Sequence, residues 1–500
     1  MRNTQAKGMR LALSSVLMLG TALTYGLGCG GDEAGGEDNN PPQNPPAAEP
    51  TPDSGTPGTP DSGTPTTPPA LANDTDLAIV RLNADGSLDT SFGTGGIARL
   101  DMGPGASSAK DALWSAALDA SGRVILFGSK KGSGDRIDAD RVIARLTPAG
   151  ALDKSFGTDG YNVLNIGNLA DQARHGGVDP DGKIVASGYT SQPTGVGVQM
   201  ANRIVLTRVD ADGKLDNTFG SKGVVNSAPL LPADPLNQEW GFAEAYAAGH
   251  QSGKYVTTGY GRSAATGTLD VVTFRYGANG RLDRTWGTDG AFVLDVAGGD
   301  DRGRDLTVLP DDRVFMVGST VKTTNNVDAL VFLLTKDGQR DTRFSSGSDA
   351  FKSFDFSRTD EAFFKSAVSK DGKWVAAAGY TGNGASAAVD DALLFIAPVN
   401  PADGAEFAQP VPLSNTGNDR FWSVTFDAAN KVYGAGFINE GGDQRFAVAR
   451  FNTDGSRDTT FGTGGLVTVN VIAGGTEEAV RAVLVQADGK IVLAGVAEAK

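Results

Sequence analysis

Carboxylates recur in register along this chain. Asp111, Asp171, Asp301, Glu361, Asp419 and Glu478 each stand eleven residues before a repeated turn position, which is Gly122, Gly182, Asp312, Gly372, Asn430 or Gly489. Set around one mouth of a repeated frame, such acids would bind by attracting a metal ion or a Lys/Arg-rich partner. The competing use is structural, because an acid at a strand entry accepts backbone N–H bonds. A second set, Asp76, Asp140, Asp270, Asp328 and Asp391, opens a different strand of the same repeat.

The turns offer a second chemistry. Asn83-x-Asp85-Gly86-x-x-Asp89, Asp210-x-Asp212-Gly213-x-x-Asp216 and Asn452-x-Asp454-Gly455-x-x-Asp458 have the oxygen spacing of calcium loops. Against this, Arg81, Arg145, Arg208, Arg275 and Arg450 stand eight residues before Asp89, Asp153, Asp216, Asp283 and Asp458. A fixed guanidinium repels a cation and pairs with the aspartate itself. These ten residues therefore read as structural turn clasps, and no metal ligand is assigned. The copy with Leu333 before Asp341 lacks the arginine.

Catalytic motifs are missing. The chain has no Gly-x-Ser-x-Gly elbow, no metal-spaced histidine cluster and no Gly-Lys-Ser/Thr phosphate loop. His175 and His250 lie in different copies and read as surface or interstrand packing, and Trp114, Trp240, Trp374 and Trp422 read as core. No catalytic residue and no cofactor is assigned, and an enzyme is the less favoured reading.

These residues are positioned by a repeat. One signature runs from an apolar strand to Leu-Asp-x-x-Phe-Gly, with anchors at Phe92, Phe156, Phe219, Trp286, Phe344, a degenerate Phe407, and Phe461. A second, Gly-Lys-Ile-Val-x-x-Gly, alternates with it, as in DGKIVASG from Asp181 and DGKIVLAG from Asp488. Each occurs seven times. Short β-branched runs between turn residues predict four strands per repeat of about 60 residues, which is all-β and means a propeller or a solenoid. The repeat region opens on the second half of a unit and closes on a first half. Complete units therefore require the end of the chain to pair with its start. The expectation is a seven-bladed β-propeller over 71–500, closed by its N- and C-terminal strands.

Successive antiparallel strands alternate direction. The repeated turns thus fall on one face and irregular loops, such as 130–139 and 225–238, on the other, where binding is expected.

The string LxRLxxDGxLDxxFGxxGxV with QxDGKIVxAG resembles the delta-60 repeat of envelope proteins in deltaproteobacteria and their relatives, over about 76–500. The resemblance implies a propeller and an envelope habitat; it implies no activity.

The N-terminus agrees with that habitat. Arg2, Lys7 and Arg10 precede an apolar run too short to span a bilayer, which reads as a signal peptide over 1–28. The single cysteine, Cys29, follows Gly26-Leu27-Gly28, which resembles a bacterial lipobox with Gly26 in place of leucine. It is the expected lipidation site. Gly30 after it, by resemblance to enterobacterial sorting, favours the outer membrane. Residues 29–70 are Pro/Thr/Gly-rich and read as a disordered tether.

A net charge of −15 argues against nucleic acid and anionic lipid surfaces. The sequence thus predicts a monomeric, envelope-anchored scaffold, touching the membrane only through its lipid and presenting loops to a protein or glycan partner. The alternative is a propeller hydrolase or lyase with a carboxylate or metal site at the channel mouth.

Overall fold

The strands Thr75–Leu82 and Ala139–Leu146 are apolar on both faces, which only a strand covered on both sides can bury, and both are buried along nearly their whole length. The computed structural model describes residues 75–498 apart from 104–110, 135, 137, 168–169, 194–199, 228–243, 263–267, 324–325, 345–349, 359, 383–389 and 415–416. The expected signal peptide over 1–28, Cys29, the expected tether, Trp240 and parts of the irregular loops lie outside the described residues.

Among the described residues the structure is all-β, with one short 3-10 turn at Pro401–Asp403. The strands form antiparallel meanders of four. There are five four-stranded sheets and one eight-stranded sheet, whose two meanders are joined by a single parallel bridge from Val327 to Asp360. One meander is built from both ends of the chain: Ala479–Val485 and Ile491–Glu498 pair with Thr75–Leu82 and Ile97–Leu100. Its central ladder runs from Thr75 opposite Glu498 to Leu82 opposite Ile491.

The first strands of the meanders are Ala112–Leu118, Asp171–Val178, Glu244–Gln251, Asp301–Val308, Asp360–Val368, Asp419–Phe426 and Ala479–Val485. They touch one another in sequence order, and Ala479–Val485 touches Ala112–Leu118, so they surround a common axis.

The core lies between meanders. Alternate residues of Thr75–Leu82 face opposite ways: Ala78 and Val80 join Tyr433, Val448 and Phe461 of the preceding sheet, whereas Leu77 and Ile79 join Leu113, Leu126 and Val142 of the following one. The anchors Phe92, Phe156, Phe219, Trp286, Phe344 and Phe461 are buried. Phe407 differs by opening a strand, Phe407–Pro410, and it is half-buried. Its ring still lies on the next meander, where a Cβ at Gly455 would come within 2.1 Å of it.

Each first strand carries a β-bulge. Its pairing with the second strand skips one residue, in turn Trp114, Arg174, Tyr246, Arg304, Phe364, Trp422 and Arg481. The bulge crowds the strand opposite. This explains the glycine that closes the second signature: a Cβ at Gly128, Gly318 or Gly436 would lie 1.9 Å from the carbonyl oxygen of Ala112, Arg302 or Arg420.

Candidate functional site

Arg81, Arg145, Arg208, Arg275 and Arg450 lie 2.7, 2.8, 2.9, 2.9 and 3.0 Å from Asp89, Asp153, Asp216, Asp283 and Asp458. Each guanidinium also donates to a turn carbonyl of the next meander, at Pro148, Ala211, Ala278, Lys336 and Ala84 respectively. The pairs therefore join meanders as well as hold turns. A second cation comes from the Gly-Lys turns: Lys490, Arg123, Lys183, Lys254 and Lys431 approach the same five aspartates at 3.1, 3.6, 2.5, 2.6 and 3.0 Å. Where Leu333 replaces the arginine, Arg343 and Arg313 reach Asp341 at 2.6 and 3.4 Å. Hydroxyl bonds from Ser91 and Thr460, reinforced by the cations, hold Asp89 and Asp458 well below the usual carboxylate range despite burial.

The in-register acids lie inside the structure. Asp111, Asp171, Asp301, Glu361, Asp419 and Glu478 are all buried. They accept backbone N–H bonds from Met102, Ile166, Val296, Phe356, Leu413 and Val471 at 2.5, 2.6, 2.7, 3.0, 2.8 and 3.0 Å. Each fastens the segment that leads into its own first strand, because a buried N–H needs an acceptor. Of the two uses set out for these acids, that of a backbone acceptor at a strand entry is the one these bonds describe. Two of them meet further acids: Asp301 joins Asp270 and Asp295, and Glu361 joins Asp328 and Asp355, with one oxygen from each residue of a group within 4.8 Å of the others. Burial, then the charges of Asp295, Asp301 and Asp300, pushes Asp270 up to about 7. Burial likewise pushes Asp301 up to about 6 and Glu361 up to about 7.

The bulge residues form a feature that the sequence reading missed. The Arg174 guanidinium carbon lies 3.9 Å from the Trp114 ring centre and 5.4 Å from that of Tyr246. Arg304 lies 5.0 Å from Tyr246 and 5.7 Å from Phe364. The rings of Phe364 and Trp422 are 4.3 Å apart, and Arg481 lies 4.3 Å from Trp422 and 5.4 Å from Trp114. Every member touches the next, and the last touches the first: a closed belt of three guanidiniums and four aromatic rings around the axis. Trp114 and Trp422 thus belong to the belt as well as to the packing. The signal available in the sequence was a large residue three positions after each acid, from Asp111 and Trp114 to Glu478 and Arg481.

Beside the belt lies an axial cavity of about 410 Å³. Residues that follow the bulges line it, among them Ser115, His175, Asp305, Lys365 and Ser423, together with Arg481 of the belt itself. Asp179 and His250 at the ends of first strands also line it, so the cavity extends toward the face of repeated turns, opposite the irregular loops. Asp305 organises one wall. Its Oδ1 lies 3.6 Å from His175 Nε2 and 3.3 Å from Lys365 Nζ, and its Oδ2 accepts the N–H and hydroxyl of Ser366 at 2.8 and 2.9 Å. Burial, with Lys365 nearby, pushes His175 down to about 4, so its imidazole is neutral at pH 7.

The family model described as "Domain of unknown function (DUF5122) beta-propeller" matches residues 70–92, 180–219 and 430–461, and with the four-stranded sheets it supports a β-propeller repeat. No curated protein matches the chain. Similar solved structures include a periplasmic gluconolactonase of Pseudomonas aeruginosa, at 15% identity and TM-score 0.42 over 80% of this chain and 97% of that one. A polysaccharide lyase, ulvan lyase, is 11% identical at TM-score 0.41 over 70% and 84%. A Penicillium chrysogenum α-L-arabinanase complexed with arabinobiose is 13% identical at TM-score 0.38 over 69% and 94%.

Proposed function

We propose that the chain is a seven-bladed β-propeller that binds a short saccharide in its axial cavity and is held at the bacterial envelope by a lipid on Cys29. The observation that carries the ligand is the cavity beside the closed belt, whose largely aliphatic walls carry a ring of polar side chains from the residues that follow the bulges. Its volume falls within the roughly 300–1,000 Å³ of small-molecule sites, which suits a short saccharide and not a folded protein. Serine hydroxyls both donate and accept, as sugar hydroxyls require, while Lys365, Asp305 and His175 add directional contacts. The envelope part rests on the N-terminal sequence alone. Palmitate should label the wild-type chain and not Cys29→Ser, and an unlabelled wild type refutes it.

Tryptophan fluorescence tests the ligand, because Trp114 and Trp422 belong to the belt. Short neutral and acidic oligosaccharides should give a saturable change, weakened about tenfold by Lys365→Ala through loss of one charged hydrogen bond. Binding that is unchanged in both Lys365→Ala and Ser423→Leu places the ligand elsewhere. One observation favours an enzyme as second reading: Asp305 brings an imidazole, a carboxylate and an ammonium together on one cavity wall, the group types that acid–base catalysis uses. Turnover of a bound saccharide, abolished by His175→Asn while binding persists, would select that reading.

A further inference from the structure

We infer that Asp270, Asp295 and Asp301 bind a hard divalent cation of the calcium class, at a place where other repeats hold a side-chain cation. Asp270 lies in the third strand Leu269–Tyr276, beside the segment that leads into Asp301–Val308. It stands five residues before the clasp arginine Arg275, as Asp76 and Asp140 do before Arg81 and Arg145.

The repeats supply the comparison. Asp76, Asp140, Asp328 and Asp391 lie 2.7, 2.6, 3.0 and 2.5 Å from Arg99, Arg136, Lys322 and Arg358. Among the described residues no lysine or arginine pairs with Asp270. It is 6% exposed, and its Oδ1 has no hydrogen-bond partner. The groups facing it are further acids, Asp295, Asp300 and Asp301. Arg302 lies 3.9 Å from Asp300. Asp295 and Asp301 are fixed by the N–H groups of Gly298 and Val296, at 2.6 and 2.7 Å.

Ionised, three carboxylate oxygens within 4.8 Å repel one another, and a divalent cation between them relieves that repulsion. Oxygen donors alone select a hard cation over zinc or copper. Asp295 is exposed, so water can complete the six to eight oxygens and the irregular geometry that calcium accepts. The second acidic group is the internal control, because the Lys322 ammonium already lies 3.0 Å from Asp328.

Isothermal titration of the chelator-treated chain with calcium chloride tests the site. One ion per chain is expected, with Kd on the order of 10⁻⁴ M, as in extracellular calcium modules. Asp295→Asn, at an exposed position outside the strands, should weaken binding about tenfold or more while the melting temperature in chelator stays the same. Asp355→Asn, in the control group, should leave the affinity unchanged. The inference is overturned by the absence of both heat and thermal stabilisation at millimolar calcium. It is equally overturned by binding that Asp355→Asn removes and Asp295→Asn does not.

Discussion

Arg145 has a side chain only 2% exposed, with Asp153 on one side, the Ala211 carbonyl of the next meander on another, and the Phe156 ring 4.7 Å below. Arg145→Met keeps much of the volume and removes the charge. It leaves Asp153 with the bonds from Ser155 and, as its cation, the more distant Arg123, so it should cost about 3 kcal/mol, read as a lower urea midpoint at unchanged slope. The same clasps set an acid limit. Asp89 and Asp458 titrate below their unfolded value, so their contribution is fully present above about pH 4 and is lost as the pH falls further. The melting temperature should drop below that pH, and less steeply in Asp458→Asn. The clasps were legible because arginine and aspartate recur at one spacing. The second cation was not: Lys183 and Asp216 are 33 residues apart, and only the fold brings them together. The belt was harder still, since its positions hold Trp, Arg, Tyr or Phe and share size without identity.

At the scale of the strand, the bulge decides what faces the axis. An unbroken strand alternates faces with period two, and one extra residue re-aims the side chains at the break. The axial placement of Trp422 and His175 was therefore not legible, since nothing in the local sequence marks the inserted residue except the glycine across from it. The glycine is therefore the handle. Gly436→Ala would bring a Cβ to 1.9 Å from the Arg420 carbonyl and press on the backbone of Phe421, next to the bulged Trp422. The strands must part or the bulge must straighten, at about 2 kcal/mol for such overpacking. The expected outcome is a lower urea midpoint together with an altered near-ultraviolet circular dichroism band from Trp422. Lost stability with an unchanged band would mean that the bulge does not set the belt.

For the whole molecule, closure is the step with the longest reach. Arg99 and Glu498, 399 residues apart in sequence, share a hydrogen bond of 2.6 Å. Loop entropy grows only logarithmically, on the order of 5 kcal/mol for such a span, and burying a few aliphatic side chains at roughly 2 kcal/mol each outweighs it. Leu77, Ile79, Val80, Leu493 and Val496 are all buried at this seam. The need for such a seam could be read from the order of the two signatures, because a chain that starts mid-unit and ends mid-unit leaves two half-sheets with open edges. The register could not, since it is fixed by side-chain parity across strands from opposite ends. Deleting 479–500 removes the ladder partner of Thr75–Leu82 and the contact of Ala479–Val485 with Ala112–Leu118. It should replace one cooperative melting transition with a broad, earlier one and expose the amides of Ala78 and Val80, which face Gly495 and Leu493 across the lost ladder, to fast hydrogen exchange. A circular permutant that joins residue 498 to 75 by a short linker and opens within 104–110 keeps every one of those pairings and should melt as the parent does. If the truncated chain melts like the parent, the seam is not what makes the ring cooperative; if the permutant fails as well, the order of assembly matters in addition to the final contacts.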